Sequence, residues 1–231
     1  AAFNNLVGVK PSRGMLSGKG LVPACRSLDC ITVMAGTAGD ADLVRRVAAG
    51  FDAADPYSRD LPAATLPAGG FRFGVLDAEE REFFGDAATE ALYDAAIARL
   101  EALGGTAVPI DYAPFRECAA LLYGGPFVAE RLAAIERFVD DHAAAMDPTV
   151  RTIVEGARAY SAVDAFRGQY RLEELRKLTD AEWASMDVLL LPTAPTAYTV
   201  EAMTADPIRL NSNLGRYTNF VNLLDCSAIA I

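Results

Sequence analysis

The sequence contains one histidine, His142, and four cysteines, Cys25, Cys30, Cys118 and Cys226, and no two of these cysteines stand in C-x-x-C spacing. A metal centre needs several His, Cys or carboxylate side chains at ligand spacing, so no metal is expected and no cofactor is called for. The same scarcity argues against a Ser-His-Asp triad within the chain. His142 falls near the end of a helical pattern, where positive charge is favourable, and this suits a structural role. The scattered cysteines read as reduced thiols of a cytoplasmic protein. No apolar run approaches the roughly 20 residues that a bilayer demands, so a soluble chain is expected. Residues 1–10 carry neither a basic segment nor a long apolar stretch, which is not the pattern of a signal peptide, and there is no initiator Met. Clusters of lysine and arginine are missing too. With a formal charge of -10 and a pI near 4.6, the chain is poorly suited to nucleic acid or an anionic membrane. A small anionic ligand would have to be held by particular arginines against the general field.

What remains is the composition of a folded protein. Hydrophobic residues make up 52% and charged residues 23% of 231 positions, with no low-complexity tract and no fixed-period repeat. Residues 1–39 are rich in glycine and short apolar pieces, which predicts loops and short strands. A helix is predicted over residues 40–51, with Leu43, Val44 and Val47 inward and Arg45 and Arg46 outward; a Pro-, Asp- and Ala-rich connection then runs to Gly70. Residues 71–76 read as a strand. Asp86 can cap a helix to about Leu103, with Leu92, Ala96, Leu100 and Leu103 on its apolar stripe and Gly104 as its stop, and residues 106–110 read as the next strand. Strand, helix, strand at this spacing is a βαβ unit with a right-handed crossover. The fold class expected is α/β, a mixed twisted β-sheet flanked by helices.

Further on, a helical piece at residues 115–122 is followed by a Gly124-Gly125-Pro126 break and a helix over residues 126–145, with Pro126 at its first position. After Asp147-Pro148-Thr149, one long amphipathic helix is predicted to carry Val150, Ile153, Ala157, Tyr160, Val163, Phe166 and Tyr170 toward Leu178. Residues 187–191 form a short continuous apolar strand, consistent with a central place in a sheet.

Several of these segments resemble a known family. Val7-Gly8-Val9-Lys10-Pro11-Ser12-Arg13-Gly14, continuing through Pro23-Ala24-Cys25-Arg26-Ser27-Leu28-Asp29, resembles the stretch that follows the nucleophile in amidase-signature enzymes. Asp187-Val188-Leu189-Leu190-Leu191-Pro192-Thr193 and residues 218–231 resemble later segments, in the family's order. Within the family, Phe3-Asn4-Asn5, the 24–30 turn and Leu214-Gly215-Arg216-Tyr217-Thr218-Asn219-Phe220 look like allophanate hydrolases. The resemblance implies that residues 1–231 are the later and larger part of a single amidase domain, with no second domain in this chain. It also implies a Ser, cis-Ser, Lys triad, which would lie upstream of Ala1 and has no counterpart here, so no catalytic residue is assigned and the chain alone is expected to be inactive. Lys10, Ser12, Ser17 and Ser27 are turn residues with structural roles.

The implied substrate is allophanate, a small molecule with a carboxylate beside its amide, made by a biotin-dependent urea carboxylase; a homodimer is implied as well. An arginine fork suits such a carboxylate better than a lysine. Carried over residue by residue, the family pattern assigns substrate binding to Tyr123, a loop tyrosine, and Arg131, in the first turns of the following helix. Spacing alone favours another reading, in which Arg131 pairs with Glu130 or Glu136 on a solvated face and Tyr123 packs in the core. Two further readings stay open: another amidase-signature enzyme acting on a different small amide, or a non-catalytic piece that binds or assembles.

Overall fold

Short apolar pieces between turn residues give β1 (Val7–Lys10) and β2 (Val33–Ala35), which pair antiparallel, Val7 opposite Ala35 and Val9 opposite Val33. The other side of β1 receives β6 (Ala228–Ala230), again antiparallel, so the order is β2-β1-β6. The structure, a computed structural model, describes residues 1–62 and 69–231. It divides into two compact units. This first sheet belongs to the unit made of Ala1–Pro62, Ala120–Gln169 and Phe220–Ile231. The second unit comprises Ala63–Ala119 and Tyr170–Asn219.

In the first unit, α1 (Ala38–Ala48) starts where Thr37 accepts the amide of Asp40. Its apolar residues do not face inward as the periodicity predicts. Ala41 is fully buried while Leu43, Val44 and Val47 are exposed, because the small side chain permits close approach and Asp42 draws Arg45 and Arg46 to its own side of the helix. The connection from α1 to Gly70 includes residues 63–68, which lie outside the described residues. The rest of this unit's core is helical. α4 (Phe127–His142) and α5 (Pro148–Gly156) pack through Val128, Leu132, Val139, Val154 and Ala157, with Ile135, Met146 and Tyr160 against them.

The second unit holds the expected βαβ. β3 (Phe71–Leu76), α2 (Ala87–Ala102) and β4 (Gly105–Ile110) follow one another, and β3 and β4 run parallel, Phe71 opposite Gly105 through Leu76 opposite Ile110. Gly104, at φ 89°, ends the helix as its sequence position suggests. β5 (Val188–Leu189) adds to the other side of β3, so it is β3 and not β5 that is central among the described strands. Asp187 fixes the start of β5 by accepting the Arg72 amide at 2.8 Å and pairing with the Arg72 guanidinium. α2 buries Tyr93, with Ala96, Ile97 and Leu100 beside it, whereas Leu92 and Leu103 of the predicted stripe are exposed. The tyrosine hydroxyl explains the shift: it accepts the Leu76 amide and donates to the Leu190 carbonyl, so the sheet holds that edge of the helix. Tyr112 stacks on Phe115 and donates to the Arg216 carbonyl, and Tyr217 closes the aromatic group.

Asp86 caps α2 by accepting the Thr89 amide at 3.0 Å, and it also accepts from the Thr89 and Thr196 hydroxyls. The amide of Thr89, then its hydroxyl, hold the carboxyl below the usual carboxylate range. A folded-state pKa below the unfolded one contributes stability that is present above the unfolded value and lost as pH falls through the folded one. Asp86→Ala should therefore lower the urea midpoint at pH 7, and the gap to the parent protein should narrow as pH falls below the ordinary carboxylate range, about pH 4. A gap that is constant with pH would show that the carboxylate charge contributes nothing.

The long helix expected after Asp147 is interrupted. α5 ends at Gly156, a turn of 3-10 helix covers Ala157–Ala159, and α6 runs over Ala162–Trp183. Ser161 and Asp164 make a capping box, the Ser161 amide and hydroxyl donating to the Asp164 carboxylate and the Asp164 amide to the Ser161 hydroxyl. Residues Ala113–Ala145 reach a mean hydropathy of 1.3 in an 18-residue window, long and apolar enough by composition alone to cross a bilayer. Gly125 and Pro126 break that stretch between α3 (Ala113–Gly124) and α4, and Phe115, Phe127, Val128, Leu132 and Val139 are spent on the protein's own core.

Candidate substrate-binding site

The break between α3 and α4 builds the candidate site. α3 ends at Gly124, and a Cβ at Gly125 would lie 2.7 Å from the Leu121 carbonyl oxygen, so only glycine fits there. Pro126 occupies the N-cap of α4, one residue before the place its sequence suggests. It leans on Gly168 of α6, where a Cβ would come within 2.4 Å of the proline ring. Tyr160 donates to the Gly124 carbonyl at 3.3 Å and holds the corner from another side.

Tyr123 lies in the last turn of α3 rather than in the loop, since the helix persists to Gly124. The residue is 44% exposed. The Arg131 guanidinium carbon sits 4.8 Å from the centre of its ring, so the structure brings together the two residues singled out from the sequence. Arg131 Nε is buried without a hydrogen-bond partner, and among the described residues Arg131 makes no ion pair. The carboxylates that spacing would pair with it are engaged elsewhere, Glu130 with Ser27 and Glu136 with Arg158. An unneutralised guanidinium backed by an aromatic face is an arrangement that accepts a planar anion.

The neighbouring thiol is not a rival nucleophile. Burial pushes Cys25 up to about 11, against the pull of Arg131, so it remains a neutral thiol at pH 7. Lys10 places its ammonium on the Pro11 carbonyl at 2.8 Å, and burial lowers its pKa. The Ser17 hydroxyl accepts the local amide of Lys19 at 3.2 Å, as a turn serine is expected to, and also donates to the distant carboxylates of Asp52 and Asp55, whereas Ser27 bonds to the distant carboxylate of Glu130. Such partners leave no local signal in a sequence. His142 is the last residue of α4, beside the ring of Phe138. A cavity of about 260 Å³ lies apart from Arg131, lined by Leu16, Lys19, Arg26 and Tyr57 among others.

Fold and site together define an α/β protein in which Arg131 stands over Tyr123 at the corner between two helices. The chain belongs to the amidase family, whose profile matches residues 1–231. It is 39% identical to the urea amidolyase of Saccharomyces cerevisiae over 240 residues and 38% identical to that of Lachancea kluyveri over 234, in each case across 100% of this chain and 13% of the relative. Among solved structures, the allophanate hydrolase of Kluyveromyces lactis matches with a TM-score of 0.94 at 35% identity, across 98% of this chain and 38% of that one. The chain thus spans well under half the length of these relatives.

Proposed function

We propose that the full-length gene product hydrolyses allophanate, with Arg131 holding the substrate carboxylate and Tyr123 backing the guanidinium. Water is added across the terminal amide: the carbon–nitrogen bond breaks, ammonia leaves, and the acyl carbon becomes a second carboxylate on the carbamate nitrogen. In this proposal the attack is made by the serine of the Ser, cis-Ser, Lys relay that the family resemblance implies, supplied from outside residues 1–231, and the present chain contributes binding and orientation. The substrate would come from a biotin-dependent urea carboxylation. Relatives bearing the names urea amidolyase and allophanate hydrolase support this reading. The observation that carries it is Arg131, a guanidinium with a buried, unpartnered Nε and no ion pair among the described residues.

The test is ammonia release by the full-length gene product from allophanate and from malonamide, which has the same reach but no carboxylate. A kcat/KM for allophanate at least about tenfold above that for malonamide is expected from a site that spends a charged hydrogen bond on the carboxylate. Equal values would remove the carboxylate receptor from the proposal and leave a general small-amide hydrolase.

A further inference from the structure

α4 begins without a capping side chain, because Pro126 at its N-cap makes no side-chain hydrogen bond to the first turn. That turn is fixed from outside. The Ser27 amide donates to Glu130 Oε1 at 2.6 Å and the Ser27 hydroxyl donates to Oε2 at 2.8 Å, so both carboxylate oxygens are taken by one residue. The Cys25 thiol donates to the Phe127 carbonyl at 3.7 Å. Ser27 is itself held, since the Arg13 guanidinium donates to its carbonyl at 2.8 Å, and Arg13 is anchored on Asp225 through its amide at 2.8 Å and its Nε at 3.3 Å. The 25–27 segment is therefore laid along the turn of helix that carries Arg131.

We infer that the Ser27–Glu130 clamp is the positioning device of the carboxylate site: it sets the rotation of the first turn of α4 so that the Arg131 guanidinium stands over Tyr123. The inference rests on the reading of Arg131 as the carboxylate receptor. Adjacent helical residues do not face each other, so Glu130 acts on Arg131 through geometry and not by pairing with it. Charge-assisted hydrogen bonds of this length are the strong kind, and two of them on one side chain remove the freedom of the turn to rotate. Small misplacements at such a site are costly, because a bidentate contact fails when the fork is turned.

The distinction between geometry and charge sets the experiment. Glutamine at position 130 keeps an acceptor for the Ser27 amide and a donor for its hydroxyl oxygen; alanine keeps neither. In the full-length gene product, malonate affinity by calorimetry serves as the carboxylate probe, with KM and kcat for allophanate and malonamide measured alongside. Glu130→Ala should weaken malonate binding and raise the allophanate KM by about tenfold, with kcat changed less than about twofold and malonamide unaffected, while Glu130→Gln stays within about threefold of the parent protein. Ser27→Ala, which removes one of the two bonds, should fall between, and it carries the same comparison should Glu130→Ala not fold. The inference is overturned if Glu130→Gln is as poor as Glu130→Ala, if neither Glu130→Ala nor Ser27→Ala changes malonate affinity, or if the malonamide KM rises in step. Arg131→Ala in the same series separates the two ideas. If it binds malonate normally, the reading of the site fails; if it loses malonate while Glu130→Ala does not, the clamp alone falls.

Discussion

Replacing Arg131 by Ala should raise the KM for allophanate by at least about 100-fold in the full-length gene product while leaving malonamide hydrolysis nearly unchanged. The magnitude follows from what is removed. Each hydrogen bond to a charged group contributes roughly 1.5–3 kcal/mol, and a two-pronged contact with a carboxylate in a partly desolvated corner reaches about 3 kcal/mol, where 1.4 kcal/mol is a factor of ten. The effect should fall on KM, since the carboxylate is bound alike before and during the reaction. Arg131→Lys keeps the charge and loses the fork, so it should lie between alanine and arginine. The substitution should not cost stability. Arg131 makes no ion pair among the described residues and buries an Nε with no partner, so the folded protein gains little from the group. Unchanged thermal unfolding together with lost carboxylate affinity is the signature of a residue kept for a ligand. A KM that rises equally for malonamide would show instead that Arg131 supports the shape of the corner, and the carboxylate reading would be lost.

Much of the fold was legible because its signals are local. β3 is bounded as its apolar run is bounded, Asp86 caps α2, and Gly104 stops it, each through contacts within a few residues. The structure departs from the pattern where a tertiary partner outweighs it. The stripe of α2 shifts to Tyr93 because the sheet offers that hydroxyl two backbone partners. The helical periodicity running through Tyr160 conceals the capping box of Ser161 and Asp164, whose signal is present in the residues beneath the apolar period. At the site, Tyr123 and Arg131 are legible through the family resemblance, while spacing alone favours an ion pair of Arg131 with Glu130 or Glu136. Ser27 takes the Glu130 carboxylate from 103 positions away. A side-chain pairing at that separation is invisible to any reading of neighbouring residues, and it determines whether Arg131 is free for a ligand.

The support behind Ser27 makes Gly14 the position where a single methyl group should do the most damage to the first unit. Gly14 has φ 74°, and a Cβ there would lie 2.1 Å from the Tyr57 carbonyl oxygen and 3.2 Å from Arg59 Cγ. Its carbonyl accepts the Arg59 amide at 2.8 Å, and Arg59 pairs with Asp225 at 2.6 Å, the carboxylate that also anchors Arg13. Gly14→Ala therefore meets two separate costs. The left-handed backbone costs a non-glycine residue roughly 1 kcal/mol. The overlap with a backbone oxygen can be relieved only by moving the 57–59 segment, which gives up the Arg59 amide bond and disturbs the pair with Asp225, for roughly 2 kcal/mol more. Gly20 is the internal control: its φ is 90°, yet nothing lies within 4 Å of its would-be Cβ. Gly20→Ala carries the backbone term alone. At about 2–4 °C per kcal/mol for a chain of this size, Gly14→Ala should lower Tm by roughly 6–12 °C and Gly20→Ala by roughly 2–4 °C. Equal shifts would mean that the approach of Tyr57 to Gly14 is not a feature of the folded protein. If the larger shift is found, malonate affinity should weaken in the Gly14 variant below its Tm, because the same displacement loosens Arg13 from Asp225 and, through it, the grip on Ser27.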